Sequence, residues 1–351
     1  MNPRGLVQFF DTRRQAGEPL VLVSVFETEG STYSKAGAHM LIDENGIFQG
    51  MLSGGCLEGD LAIRGKIVVE SGSTQTVTYD LGSNDDELWG LGVGCDGLMR
   101  MFLQPLTAQH DYQPFAAIAG ILQGSTPAVV ATVIESAAAN VATGAAIVVG
   151  EEHRGCYGFD AEAADILLHA AKQSLADRTS RIMRLEFNGN DVTVLMSFVV
   201  PPPRILILGA GFDVAPLVRF CGELGWRSTI FDHRQAYIDH NDLTSVEASY
   251  CAPADDLAST VDLDSFDMAV VMSHHLASDR AYLRELATTD IGYVGLLGPH
   301  DRREKLLADL GSDADKLRDR LHGPAGLDLG GRGPAPIALA IVAEMQKHWS
   351  G

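Results

Sequence analysis

Early in the chain, the spacing of apolar side chains changes from that of strands to that of a helix. Two apolar runs, 39–42 and 47–52, flank the acidic turn Asp43–Gly46, a pattern typical of a β-hairpin. From Leu57 to Gly72, apolar side chains recur near helical spacing. The pattern predicts strand, turn, strand and helix, with the segment Ser53-Gly54-Gly55-Cys56-Leu57-Glu58 at the entry to the helix.

The same order of elements recurs roughly 105 residues later, a spacing far longer than that of solenoid repeats. Pro19–Thr28 resembles Pro127–Ser136, and an amphipathic helix follows in each copy, at 57–71 and at 161–176. We therefore predict that the part of the chain containing both copies is built from two paired α+β halves.

The two copies differ at the glycine-cysteine segment. Where the first copy has Ser53-Gly54-Gly55-Cys56, the second has Gly158-Phe159-Asp160-Ala161. A turn needed only for the fold would be expected in both copies, so its restriction to one favours a function for Cys56. At a helix N-terminus the free N–H groups and the helix dipole stabilise a thiolate, and glycines let a ligand approach closely.

Pro201-Pro202-Pro203 marks the clearest boundary in the chain, because consecutive prolines stop strands and helices. We predict an α/β protein with two domains. They are an N-terminal α+β domain at 1–200, with halves at 1–106 and 107–200, and a C-terminal Rossmann-like parallel-sheet domain at 201–351.

The residues after the prolines have the pattern of a dinucleotide-binding βαβ unit. An apolar strand at 204–208 leads into Gly209-Ala210-Gly211, a helix begins at Val214, and a second strand ends at Asp232. In such a unit the helix N-terminus holds a phosphate, and the acidic residue bonds a ribose hydroxyl. Val214 occupies the third glycine position, so NAD, another phosphorylated ligand and no ligand at all stay open.

Further candidate site residues follow buried strands or lie in a glycine-rich loop, since doubly wound sheets bind ligands at the carboxyl ends of their strands. An arginine pair there suits a phosphate, and a histidine suits proton transfer. The candidates are His274, His275, His300, Arg302, Arg303, His322 and Asp328.

Composition narrows the class of protein. The 351 residues carry 26 basic and 46 acidic side chains, and the net charge of −20 argues against a nucleic-acid or anionic-membrane surface. No apolar run reaches the roughly 20 residues of a membrane span, and the first residues lack a signal-peptide pattern. The five cysteines contain no CxxC pair, which favours the reducing cytoplasm over a disulfide framework or zinc ribbon.

A second glycine-cysteine segment, Gly92-Val93-Gly94-Cys95, precedes a predicted strand at 98–103 and also has no counterpart in the second half. Thiolates are soft ligands suited to transition metals and to sulfur transfer. Cys56 and Cys95 are therefore candidate metal ligands or sulfur carriers, and a pocket shared by the two thiols is a hypothesis that sequence distance alone leaves open.

Taken together, these segments resemble the XdhC/CoxI family, accessory proteins for molybdenum hydroxylases such as xanthine dehydrogenase. The matching segments are Glu29–Tyr33 with Ser53–Glu58, Gly92–Cys95, Pro202–Arg204 with Gly209–Gly211, Tyr293–Gly298 and Leu321–Gly330. Each segment is short, but their order along nearly the whole chain is specific.

The resemblance implies a homodimeric cytoplasmic chaperone rather than an enzyme that turns over a substrate. Such a chaperone binds the molybdenum cofactor (molybdopterin), works with a cysteine desulfurase so that the metal gains its terminal sulfido ligand, and delivers the cofactor to an apo molybdenum hydroxylase. The candidate cofactor-binding residues are then Gly54, Gly55, Cys56, Glu58, Cys95, Gly209, Gly211, Asp232, His274, His322 and Asp328, with Cys56 and Cys95 as candidate molybdenum ligands.

Two other functions stay open from the sequence. One is an NAD-dependent oxidoreductase, with Asp232 on the ribose and His274 or His275 as proton shuttle. It leaves both glycine-cysteine segments without a role. The other is a thiol-based redox or metal sensor built on Cys56 and Cys95, which would not bind a pterin.

Overall fold

The chain forms two compact units, Met1–Pro201 and Pro202–Gly351. The computed structural model describes residues 2–80, 97–159, 161–241 and 243–350. Each unit is built around its own hydrophobic clusters.

The first half of the N-terminal unit is an antiparallel five-stranded sheet with two helices. Its elements are α1 (Pro3–Gln15), β1 (Leu20–Gly30), β2 (His39–Asp43), β3 (Phe48–Gln49), α2 (Glu58–Ser71), β4 (Gln75–Asp80) and β5 (Gly97–Leu106). The strand order is β3-β2-β1-β5-β4. The first and longest strand along the chain therefore lies at the centre of the sheet.

The second half has the same arrangement. Its elements are α3 (Phe115–Gln123), β6 (Ala128–Ser136), β7 (Val141–Gly150), β8 (Arg154–Phe159), α4 (Ala161–Asp177), β9 (Arg181–Phe187) and β10 (Asn190–Val199). The strand order β8-β7-β6-β10-β9 is that of the first sheet, strand for strand.

The two sheets of the N-terminal unit pack against each other, with a helix on each outer face. Phe26 and Phe102 of the first sheet form one buried cluster with Ile134 and Leu195 of the second. Alternate side chains of each strand point the other way, where α2 covers the first sheet and α4 covers the second. Helix α2 therefore rests on a buried apolar face, which fixes the position of the segment that leads into it.

The C-terminal unit is a parallel six-stranded sheet with helices on both faces. Its strands are β11 (Arg204–Leu208), β12 (Arg227–Asp232), β13 (Ala248–Cys251), β14 (Met268–Val271), β15 (Tyr293–Leu296) and β16 (Leu321–His322). Its helices are α5 (Val214–Glu223), α6 (Gln235–His240), α7 (Leu257–Thr260), α8 (Leu276–Leu286), α9 (His300–Leu310), α10 (Ala314–Leu317) and α11 (Pro334–Ser350). The order β13-β12-β11-β14-β15-β16 is that of a Rossmann domain, so the predicted fold class is confirmed.

One predicted strand is much shorter than expected. The apolar run 47–52 predicts a strand of six residues, but β3 contains only Phe48 and Gln49. The reason is that the backbone N–H groups of Leu52 and Ser53 donate to the Glu58 carboxylate rather than to a neighbouring strand. Across the described residues, no helix is long and apolar enough to cross a membrane.

Candidate functional site

The segment Ser53–Leu57 links β3 to α2 and is organised by one buried carboxylate. Glu58, 2% exposed, accepts hydrogen bonds from the backbone N–H groups of Leu52 (2.8 Å), Ser53 (2.8 Å) and Gly55 (3.0 Å) and from the Ser53 hydroxyl. The Ser53 hydroxyl oxygen in turn accepts from the Leu57 N–H at 2.7 Å. Glu58 therefore holds the loop through its backbone, and both of its oxygens face the loop itself.

The charge of Glu58 is stabilised by this same set of hydrogen bonds. Burial by itself would raise the pKa of the carboxyl, but the bonds from Ser53 and Leu52 outweigh it, and the pKa is lowered. Glu58 is also the first residue of α2, where a negative charge is favoured by the helix dipole. The loop donors therefore bind a negatively charged side chain of the protein itself.

Cys56 lies on this loop as a half-buried, free thiol that packs against the cluster beneath α2. On one side, the ring of Tyr33 lies 3.4 Å from the position that a Cβ of Gly54 would take. On the other side, Gly55 has φ of +107°, and a Cβ built there meets no described atom within 4 Å. No described residue therefore blocks the loop backbone beside the thiol on this side.

The second glycine-cysteine segment, including Cys95, lies outside the described residues. The description resumes at Gly97, the first residue of β5, which packs closely on Ser31 and Thr32. Whether the two thiols share a pocket stays a prediction.

In the C-terminal unit, Gly209 and Gly211 form the turn between β11 and α5, as predicted for a βαβ unit. Gly209 has φ of +127°, and a Cβ there would lie 2.6 Å from the carbonyl oxygen of Met272. The turn therefore sits directly on the carboxyl end of β14, at the point where the strand order of the sheet reverses.

Asp232, the expected ribose ligand, is completely buried. Its carboxylate accepts from the Ala210 N–H (2.6 Å), the Arg234 N–H (2.9 Å) and the Arg234 guanidinium through Nε (2.9 Å) and Nη2 (2.7 Å). Burial would raise the pKa of this carboxyl, but the bonds from Arg234 and Ala210 outweigh it, and the pKa is lowered. Both oxygens are thus occupied inside the protein.

The helix N-terminus that would hold a phosphate is also occupied. Asp213 precedes α5, and its Oδ1 lies 2.6 Å from the position of a Cβ on Gly211. Its Oδ2 pairs with Nε2 of His274 at 2.8 Å, so His274 lies over the turn. A carboxylate here repels a diphosphate. The residues present therefore do not fit NAD bound in the usual Rossmann manner.

Of the other candidate residues, His322 belongs to a cluster of side chains and Asp328 does not. His322 stacks on Tyr293 (ring centroids 4.5 Å apart) and lies 3.6 Å from Glu344, which accepts from the Tyr293 hydroxyl at 2.6 Å. Burial lowers the pKa of His322, and Glu344 offsets part of that effect. Asp328 is exposed on the following loop and is not part of this cluster.

A buried network at the ends of β14 and β15 was missed by the sequence reasoning. Asp279, 1% exposed, accepts from the Ser273 hydroxyl and from the Arg302 guanidinium, at 3.1 Å from Nε. Arg302, a candidate phosphate ligand, is therefore paired inside the protein. His275 caps α8, accepting from the Ser278 N–H, and His300 lies exposed beside Glu304. An acid in the first turn of a helix after a buried strand was the available signal for Asp279.

Within the described ranges, no group of three or more His, Cys, Asp and Glu side chains is arranged to hold a metal ion. The half-buried thiol of Cys56 on its open glycine loop is thus the described feature best suited to a soft metal or to sulfur.

Fold and site together define a protein with a thiol-bearing glycine loop on a paired-sheet α+β unit and a Rossmann unit whose dinucleotide positions are filled by its own side chains. Residues 13–80 match the model of the XdhC and CoxI family, and residues 205–345 match the model of the XdhC Rossmann domain. The chain belongs to the XdhC/CoxI family, which confirms the resemblance seen in the sequence.

Relatives of known name match nearly the whole chain. A probable xanthine dehydrogenase subunit of Bacillus subtilis is 28% identical over 93% of this chain and 92% of that protein. The molybdenum cofactor insertion chaperone PaoD of Escherichia coli is 22% identical over 97% of this chain and 87% of that protein. The crystal structure of a protein described as a xanthine dehydrogenase from Bacillus halodurans superposes with a TM-score of 0.77 at 26% identity, covering 99% of this chain and 95% of that one.

Proposed function

We propose that this protein is an accessory chaperone that binds the molybdenum cofactor, supports its sulfuration and inserts it into a molybdenum hydroxylase of the xanthine dehydrogenase type. The cofactor is cargo here, and the protein is not itself the hydroxylase. The names of the B. subtilis and E. coli relatives support this assignment.

One observation carries the proposal: the Glu58 carboxylate holds the loop at Ser53–Leu57, and no atom of the described residues lies within 4 Å of a Cβ built on Gly55. Among the described residues, Glu58 accepts from the loop N–H groups without a cation, and none comes close to Gly55 on the side of Cys56. Because donors of the loop occupy both oxygens of the Glu58 carboxylate, its role is to position Cys56 rather than to contact the cofactor. The thiol of Cys56 then ligates molybdenum or carries the sulfur, with Cys95 as a second candidate for the same role.

The proposal includes partners and a location. A cysteine desulfurase supplies the sulfur, the chain acts as a homodimer in the cytoplasm, and the acceptor is an apo molybdenum hydroxylase. The alternative of an NAD-dependent oxidoreductase is disfavoured, because the Asp232 carboxylate is already paired with Arg234 and Ala210, and Asp213 with His274 lies at the turn where a diphosphate would bind.

Co-expression with a molybdenum hydroxylase tests the proposal. We expect wild-type chain to raise the fraction of hydroxylase that is active and cyanide-labile, a sign of the sulfido ligand, and Cys56→Ala to lose this effect. Cys251→Ala, which removes an exposed thiol of the C-terminal unit, is the matched control. Equal activation by Cys56→Ala and wild type would contradict a role for the thiol.

A further inference from the structure

Helix α2 is apolar on its outer face as well as on the face that packs on the sheet. Its buried side includes Leu61 and Val68. On the other side, Ile63 is 64% exposed and Ile67 is 55% exposed. Residues four apart are neighbours on one face of a helix, so these two isoleucines lie side by side. A helix that is apolar on both faces is typical of one that is covered on both.

The corresponding helix of the second half, α4, has a more polar outer face. Over its described side chains, at 164–177, the exposed residues are Asp165, Ile166, His169, Lys172, Gln173, Ala176 and Asp177. Ile166, 41% exposed, is the one large apolar side chain among them. Because the two helices cover equivalent faces of equivalent sheets, the fold does not require the isoleucines on the outer face of α2.

The β2–β3 hairpin extends the exposed apolar surface along one side of α2. Phe48 of the edge strand β3 is 41% exposed and is paired with Ile42 of β2. Paired residues point to the same side of a sheet, and the Ile42 side chain lies 3.1 Å from a Cβ built on Gly65 of α2. The Phe48 ring therefore lies on the side of the sheet that α2 covers, at the edge of that sheet.

The same surface reaches the loop that carries Cys56. Tyr33, 64% exposed, lies against Gly54 of that loop, and Met51, 47% exposed, comes shortly before it in the chain. Helix α2 itself begins two residues after Cys56. We refer to five exposed side chains together as the α2 surface: Tyr33, Phe48, Met51, Ile63 and Ile67.

The charges of α2 do not oppose a protein partner. Arg64 pairs with Asp60 at 2.6 Å, and Lys66 and Glu70 are exposed on the same helix. Apart from the buried Glu58, the charged side chains of α2 therefore cancel, in a chain whose net charge is −20. Contact at this helix thus avoids the repulsion that an acidic partner would meet on a strongly acidic surface.

The size of the α2 surface decides which kind of partner it fits. From their fractional exposures, the five side chains present on the order of 500 Å² to solvent, less than the roughly 800 Å² per partner of a stable interface. The surface is nevertheless larger than apolar side chains scattered singly would make. An area of this size suits a protein that binds and then leaves, rather than a second copy held permanently.

We propose that the α2 surface is the docking site of the apo molybdenum hydroxylase, which meets it with apolar side chains around the entrance to its empty cofactor site. This inference rests on the proposed function. Transfer of a cofactor held at Cys56 requires the acceptor to come against the loop, and the α2 surface borders that loop.

The affinity of the cofactor-loaded full chain for an apo xanthine dehydrogenase, produced in cells that make no molybdenum cofactor, tests the proposal. Ile63→Ser combined with Ile67→Ser removes the apolar face and keeps a similar helix propensity. We expect this double variant to bind the hydroxylase about thirtyfold more weakly and to activate it correspondingly less. Met51→Ser, on a different element of the same surface, should weaken binding about threefold.

Ile166→Ser, the same change at an exposed position of α4, is the matched control and should dock as wild type does. The double variant should keep wild-type cofactor binding, measured as released pterin fluorescence, and the wild-type oligomeric state, measured by sedimentation. Unchanged affinity for the hydroxylase in the double variant would overturn the proposal. A smaller oligomer would also overturn it, by assigning the surface to a second copy.

The same experiment separates this proposal from the function on which it rests. A wild-type chain that binds no cofactor would contradict the proposed function, and the docking site with it. Cofactor binding and hydroxylase activation by wild type, together with equal docking by the double variant, would contradict the docking site alone.

Discussion

The two glycine-rich turns that precede helices in this protein are held in the same way, but they differ in the space beside them. In each, a buried carboxylate accepts four hydrogen bonds and holds the turn between a strand and a helix. Glu58 does so with N–H and hydroxyl donors of its own loop and, within the described part of the chain, without a cation. Asp232 does so with one loop N–H and three donors of Arg234.

The two turns differ on the side that a ligand would approach, and not on the side where the carboxylate binds. Beside Gly55, no atom of the residues that the structure describes lies within 4 Å of a built Cβ, and the neighbouring side chain is a half-buried thiol. Over Gly211 lie the Asp213 carboxylate and the His274 ring. A glycine-rich turn before a helix thus indicates where a ligand can bind only if the protein leaves that space unfilled. At the cysteine loop, none of the described residues fills it.

The largest expected effect comes from adding a methyl group to each turn. Gly209→Ala combines positive φ with a backbone contact of 2.6 Å to Met272, so we expect a loss of about 4 kcal/mol in the free energy of unfolding. Gly55→Ala meets no described atom and should lose only about 1–2 kcal/mol from its backbone conformation. Urea denaturation of the full chain measures both, and equal losses would remove the contrast between the turns.

A second test removes the charge that holds the open loop. Glu58→Gln keeps the size of the side chain but replaces one acceptor by a donor facing N–H groups, and should lower the free energy of unfolding by about 2–3 kcal/mol. We also expect loss of cofactor binding, because the loop that carries Cys56 is released. Glu70→Gln, an exposed change on the same helix, serves as the control. Unaltered stability in Glu58→Gln would show that the loop does not depend on the carboxylate.

A third test concerns the stability of the N-terminal unit in acid. His39 is buried between the sheets, with Nδ1 3.0 Å from the Ser24 hydroxyl, and burial lowers its pKa to about 4. Because the pKa of His39 is lower in the folded than in the unfolded chain, its contribution to the free energy of unfolding is complete above the unfolded value of 6.5. That contribution is lost as pH falls towards 4, since the unfolded chain then binds a proton that the folded chain does not. That loss is at most about 3 kcal/mol.

Free energies of unfolding measured between pH 7 and pH 4 give the slope of stability against pH. His39→Asn should flatten it, whereas His300→Gln, which changes an exposed ring, should leave it unchanged. A slope that persists in His39→Asn would assign the acid sensitivity to other groups. His322 in the C-terminal unit also has a lowered pKa but is half-exposed, so its share is smaller.

Local patterns were sufficient to predict most elements of the fold. The predicted helix at 57–71 and the observed Glu58–Ser71 differ by one residue. In the βαβ unit, the helix begins at Val214 and the second strand ends at Asp232, as predicted. Both depend on apolar spacing and on glycine, which act within a few residues along the chain.

The state of the candidate sites depended on contacts that the sequence does not display. Nothing near Asp213 in the chain indicates that His274, 61 residues away, will pair with it. Asp232 was expected to face a ribose, and the presence of Arg234 two residues later was the local sign that it could be neutralised internally. Glu58 was expected to bind the cofactor, yet its partners are all within six residues, so this contact was within reach of local reasoning.

The central claim is that the open loop holds the cofactor at Cys56. The most direct test is anaerobic binding of isolated molybdenum cofactor to the wild-type chain, to Cys56→Ala and to Cys156→Ala, which removes an exposed thiol of the second half. Bound cofactor is measured as its released fluorescent pterin derivative. We predict binding by wild type and Cys156→Ala and loss of binding by Cys56→Ala. Full binding by Cys56→Ala, or none by the wild type, would contradict the claim.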